Sequence, residues 1–141
     1  MVAKKTTKKK EKLVQVTGHR KRAVARATAK KGSGIIVINS KPMKSYPEIP
    51  QLMMMEPLMI AGDVANGVDI NVNVNGGGVM GQADAVRQAI AKVLVKFSRG
   101  LKSKFLDYDR HLLVADSRRT EPHKPSRSSQ GPRRHKQRSK R

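Results

Sequence analysis

The sequence predicts an α+β fold, a split βαβ sandwich with helices packed on one face of a mixed sheet. Three observations predict it. Val68, Ile70, Val72 and Val74 alternate with Asp69, Asn71, Asn73 and Asn75, the period-two pattern of a half-buried strand. Val86, Ala89, Ile90, Val93, Leu94 and Phe97 recur at the three- and four-residue spacings of an amphipathic helix. Ahead of both lie three shorter runs with strand character, at 13–17, 23–29 and 34–38.

Each element has a local reason. Leu13 to Thr17 puts Val14 and Val16 on one face. In the next run, Ala23, Ala25, Ala27 and Ala29 alternate with larger residues, so this strand turns a small-residue face toward something close. Lys30-Lys31-Gly32-Ser33-Gly34 is turn chemistry, and Gly34 to Ile38 follows as a buried strand, which predicts a hairpin with a basic tip. Residues 47–61 carry Pro47, Pro50 and Pro57 among Leu52, Met53, Met54, Met55, Leu58, Met59 and Ile60. One or two short helices are expected there, with Pro57 breaking or restarting them, and with the methionines filling core rather than lining a promiscuous groove. The helix built on Val86 to Phe97 should run about 18 residues, with Gly100 as its C′ stop. Leu112 to Ala115 reads as a last strand.

Charge divides the chain into three parts. Of 141 residues, 31 are Lys or Arg and 10 are Asp or Glu, a formal net charge of +21. Ordinary soluble domains carry a net charge of roughly 2 to 8 in magnitude, so a polyanionic partner is needed to relieve the self-repulsion. Residues 1–12 carry +5, residues 13–116 carry +7 and residues 117–141 carry +9. Apolar side chains make up 49 of the 104 residues between 13 and 116, and none follows Ala115. The expected organisation is therefore a globular body over 13–116, a basic arm over 1–12 and an extended basic tail over 117–141. Neither end has enough apolar surface to offset the entropy of ordering it, so both are expected to be disordered. The tail is rich in arginine, whose planar fork suits phosphate contact and base stacking.

The sequence excludes several function classes. Cysteine is absent, which removes disulfides, thiolate metal sites and a thiol nucleophile. The charged N-terminus has no apolar segment behind it, so it does not read as a secretory signal. No apolar run approaches the ~20 residues that cross a bilayer, and an intracellular location is expected. Gly76-Gly77-Gly78-Val79-Met80-Gly81 satisfies the dinucleotide pattern G-x-G-x-x-G between a strand and a helix. The acidic residue expected about 20 positions later is missing, and 99–104 is basic instead. The glycines read better as a tight strand-to-helix turn, or as a backbone seat for a phosphate belonging to RNA. His19, His111, His123 and His135 lack metal-ligand spacing, and Asp107, Asp109 and Asp116 read as partners of nearby basic residues. No cofactor, metal or catalytic group is expected.

The strongest basic cluster of the body is Gly18-His19-Arg20-Lys21-Arg22 with Arg26, at a strand-to-strand corner. Two Phe and two Tyr in the whole chain leave no aromatic platform for base stacking. RNA recognition through phosphates, shape and arginine follows from that balance. A histone-like protein that compacts nucleic acid is the alternative, since basic tails bind any duplex.

Three segments also carry a family resemblance. Gly18 to Arg26 resembles the G-x-R-K-x-A-V-A-R opening of the universal ninth family of small-subunit ribosomal proteins. Gly76-Gly77-Gly78-Val79-Met80-Gly81-Gln82 resembles its G-G-G-x-x-G-Q signature. Gln137-Arg138-Ser139-Lys140-Arg141 is similar to its Q-x-S-K-R end. The stretch Arg118-Arg119-Thr120-Glu121-Pro122 and the lysine-rich start are more similar to archaeal and eukaryotic members than to bacterial ones. The resemblance implies a fold like the second domain of ribosomal protein S-five and a cytoplasmic place in the head of the small ribosomal subunit, among other head proteins. It implies rRNA contacts, for which Arg20, Lys21, Arg22, Arg26, Lys30, Lys31, Arg87, Arg118, Arg119, Arg133, Arg134 and Lys136 are the candidates. It also implies a tail that reaches the anticodon stem-loop of peptidyl-site tRNA, with Arg138, Ser139, Lys140 and Arg141 as tRNA-facing candidates.

Overall fold

The computed structural model describes residues 13–120 and 122. The strands are β1 (Val14–Arg20), β2 (Ala23–Lys31), β3 (Ile36–Ile38), β4 (Lys41–Pro42) and β5 (Val68–Asn75). The helices are α1 (Glu48–Ala61), α2 (Asp63–Asn66), α3 (Val79–Phe97) and α4 (Leu101–Tyr108), with 3₁₀ turns at Met43–Ser45 and Arg110–Leu112. The sheet runs in the order β1-β2-β5-β3-β4, and only the β3–β5 pair is parallel. Helices pack on one side of this mixed sheet, as the patterning requires.

The core forms where small sheet residues meet α3. Ala23, Ala25, Ala27 and Ala29 are buried, and register places the last three beside Val74, Val72 and Ile70 of β5. Short side chains there let the backbone of β1 close on α3. At Gly18 the approach is tightest: a Cβ would collide with the Ala85 carbonyl oxygen and stand 2.8 Å from the Ala89 nitrogen. Val86, Ala89, Ile90, Val93 and Leu94 supply the helix side of this layer, each at most 1% exposed.

The structure corrects the sequence reading at four places. The chain does turn at 30–34, but β2 and β3 do not form a hairpin. β5 inserts between them, antiparallel to β2 and parallel to β3. Asp69 of β5 holds that turn by accepting the backbone N–H groups of Ser33 at 2.8 Å and Ile35 at 3.1 Å. Pro57 lies inside α1 without ending it. Its ring costs one backbone hydrogen bond, which the burial of Met54, Pro57 and Ala61 along one face offsets. Of the methionines here, Met54 is buried and the half-buried Met53 and Met55 pack against the core, as core filling expects, while Met59 is exposed.

The other two corrections lie at the C-terminal end. α3 closes at Phe97 with Ser98 as its cap, and Gly100 instead precedes α4, which buries Leu101 and Phe105 at an i, i+4 spacing. Residues 112–115 form no strand. Asp109 Oδ1 accepts the His111 N–H at 2.8 Å, starting a 3₁₀ turn that buries Leu112 and leaves Val114 exposed. An apolar run of four residues is too short for periodicity to separate these outcomes.

Candidate nucleic-acid interface

The basic corner is the two-residue turn between β1 and β2. Register pairs Arg20 with Ala23, which leaves Lys21 and Arg22 at the tip, and Lys21 adopts a positive φ of 52°. The glycine turn leading into α3 packs beneath this tip. Gly76 and Gly77 have φ values of 79° and 70°, and a Cβ on Gly76 would stand 2.6 Å from the Arg22 carbonyl oxygen. Both the backbone angle and the contact exclude a side chain, so the glycine motif is accounted for by this turn. Together the two turns wall a groove of about 680 Å³. Its lining includes Arg20, Lys21, Arg22, Gly78, Asp84 and Arg119. Gly78 caps α3 without a side-chain acceptor, so the first-turn amides and the positive end of the helix dipole add to the cationic side chains.

The structure separates two kinds of basic residue within this corner. Arg20, in β1, does not join Lys21 and Arg22 at the tip. Its guanidinium pairs with Asp84 of α3 at 3.4 Å and with Asp116, just beyond the 3₁₀ turn. Arg118 joins the same carboxylate, its Nη2 donating at 2.6 Å and its backbone N–H at 2.8 Å. These donors, Arg118 first and Arg20 after it, hold the Asp116 carboxyl far below the usual carboxylate range. Asp116 raises the pKa of the Arg118 guanidinium in turn. Arg87 is likewise engaged, with Glu56 of α1 at 2.5 Å and Asp109 at 3.1 Å.

A buried amide connects the two ion-pair groups. Gln88, 4% exposed, accepts the His19 backbone N–H at 2.9 Å and the Lys92 ammonium at 3.2 Å. It donates to the His111 carbonyl at 3.2 Å. Lys92 also donates to the Thr17 carbonyl at 2.9 Å, and burial pushes its pKa down. β1, α3 and the segment after α4 are thus tied together before the tail begins.

The remaining candidates are exposed. Lys21, Arg22, Arg26, Lys30, Lys31 and Arg119 pair with no carboxylate among the described residues. Arg26 lies beside Thr17 and Asn73 on the sheet face away from Ala25 and Ala27. Lys30 and Lys31 end β2 at the opposite end of that strand from Arg22, so the exposed cations form two groups rather than one patch. Arg133, Arg134, Lys136, Arg138, Ser139, Lys140 and Arg141 lie outside the described residues. Sequence reasoning missed Gln88, Glu56 and Asp84. Gln88 and Asp84 occupy α3 positions near Arg87, but no spacing rule links them to Arg20 or His111.

Comparison with known proteins gives two results. A family described as ribosomal protein S9/S16 matches residues 18–141. Proteins called small ribosomal subunit protein uS9 align over 131 residues, covering 91% of this chain and 98% of each relative. One from Methanococcus maripaludis is 50% identical and one from Methanococcus vannielii is 49% identical.

Proposed function

The chain belongs to the ribosomal protein S9/S16 family, and on that basis we infer that it is a structural, non-catalytic constituent of the small ribosomal subunit in the cytoplasm. Its body binds rRNA through the exposed cations, and its C-terminal tail extends to the anticodon stem-loop of peptidyl-site tRNA. The observation that carries the RNA-binding reading is the groove at the β1–β2 turn. There Lys21, Arg22 and Arg119 meet the N-terminus of α3 with no carboxylate bound to any of the three among the described residues, and Asp84, which also lines the groove, is paired with Arg20. A phosphate in that groove would meet cations and bare amides together, the pairing that favours anions. Arg20, Arg87 and Arg118 act one step behind, holding the elements that present the groove.

The tail begins at the same place. Asp116, fixed by Arg20 and Arg118, ties the base of the tail to β1 and α3. From there, 25 residues can reach about 80 Å at ~3.3 Å per residue if fully extended. Two experiments test the reading. Sedimentation of a cell extract should carry this chain with the small subunit through moderate salt; migration with DNA or as a light species would contradict it. Deleting Ser139 to Arg141 should leave assembly intact and speed tRNA release from the peptidyl site, and unchanged release rates would remove the tail from that role.

A further inference from the structure

The surface opposite in character to the groove is the outer side of α1. No Lys, Arg or His occurs from residue 45 to residue 86, although the chain carries 31 Lys and Arg in all. Five of its ten acidic residues, Glu48, Glu56, Asp63, Asp69 and Asp84, fall in that stretch. α1 belongs to it wholly, and one side of α1 is buried through Pro50, Met54, Pro57 and Ala61. The other side is mostly apolar, with the Arg87-paired Glu56 between Leu52 and Met59. Ile49, Leu52 and Met59 are 64%, 56% and 74% exposed, with spacings of three and seven that align them along the helix. Exposed Glu48 and Asp63 stand at its two ends.

Such a face does not suit RNA. A phosphate backbone would meet Glu48 and Asp63 at the ends and, between them, a Glu56 already balanced by Arg87, with no free cation on the helix, and bases would meet aliphatic side chains without an aromatic platform. It does suit polypeptide. Exposed aliphatic side chains gain by leaving water, and unbranched methionine adapts to the shape that covers it. The acidic ends select basic side chains at the rim of whatever sits there. We propose that the outer face of α1 docks another protein of the small subunit, through a segment that is apolar at its centre and bears Lys or Arg at its edges. This rests on the ribosomal reading, and it assigns protein contact to α1 and RNA contact to the groove.

The test places p-benzoylphenylalanine at Met59, and separately at Leu52, in the full chain, with the same probe at Lys21 for comparison. All three positions are exposed, so folding is not at stake. Small subunits carrying each variant are purified, irradiated and digested, and the adducts are identified by mass spectrometry. The expected result is that positions 59 and 52 attach to a peptide of a different subunit protein, one with Lys or Arg beside apolar residues, while position 21 attaches to RNA. Adducts of positions 59 and 52 with RNA, with a second copy, with this chain's own ends or with nothing would overturn the proposal while the chain still sediments with the subunit. Failure of every variant and of the unmodified chain to enter the subunit would overturn the ribosomal reading itself, and this proposal with it.

Discussion

Arg20 and its neighbours Lys21 and Arg22 look alike in the sequence, yet the fold uses them differently. Arg20 sits within β1 and, although it touches the groove wall, turns its guanidinium to Asp84 and Asp116, so its charge is balanced by the protein's own carboxylates. Lys21 and Arg22 occupy the tip of the turn and line the groove, exposed and without a bound carboxylate among the described residues. Arg87 and Arg118 belong with Arg20, and Arg119 with Lys21. The lesson is that a run of basic residues is not one functional unit. Position in the strand pairing decides which cations hold the fold and which are left for a partner.

Substitutions sharpen this division, and the largest effect should come from neither group. Gly18→Val would drive a side chain into the backbone of α3 at Ala85 and Ala89. Overpacking against backbone, which cannot rotate away, should cost more than about 3 kcal/mol, seen as loss of a cooperative melt or a strongly lowered Tm. Arg87→Ala should come next. It strands Glu56 and Asp109 in a half-buried site and should lower stability by about 2 kcal/mol in denaturant titration. If Arg87 were an RNA contact alone, the unfolding midpoint would not move.

The third prediction concerns acid. Asp116 has a folded pKa below its unfolded value of about 4. Its contribution to stability is therefore complete above pH ~4 and is lost as pH falls further, through the lowered folded value. Asp116→Asn should remove that part of the acid dependence, which a comparison of melting temperatures between pH 5 and pH 2 would read. It should also raise protease sensitivity after residue 116 at neutral pH, since Arg20 and Arg118 lose their shared partner. The smallest effect on stability should come from Lys21→Gln with Arg22→Gln, since both side chains are exposed. That pair should leave the Tm unchanged and reduce the log–log salt slope of rRNA binding by about 1.4, at ~0.7 per phosphate contact on largely single-stranded RNA.

Much of the body was legible beforehand, for identifiable reasons. β5 and α3 bury one face against the same layer, so their periods of two and 3.6 survive undistorted in the sequence. The alanine run of β2 announced a close neighbour, and α3 is that neighbour. What failed were choices that depend on distant residues. Whether β2 turns back on β3 was settled by Asp69, which takes the turn's amides and brings β5 between them. Whether 112–115 extends was settled by Asp109, which caps a 3₁₀ turn. At the interface the basic residues were visible, but their division was not. It depends on Asp84, Gln88 and Asp116, which reach β1 across separations of 64 to 96 residues.

Neighbouring cations at the β1–β2 corner should do separate work. The most direct test is a paired measurement on Arg20→Gln and on Lys21→Gln with Arg22→Gln, recording the melting temperature of the full chain and its rRNA affinity across salt. The division predicts that Arg20→Gln lowers the Tm and keeps the salt slope, while the double variant keeps the Tm and makes the slope shallower. Equal loss of salt slope in both, with no change in Tm for Arg20→Gln, would contradict it and return Arg20 to the RNA-binding surface.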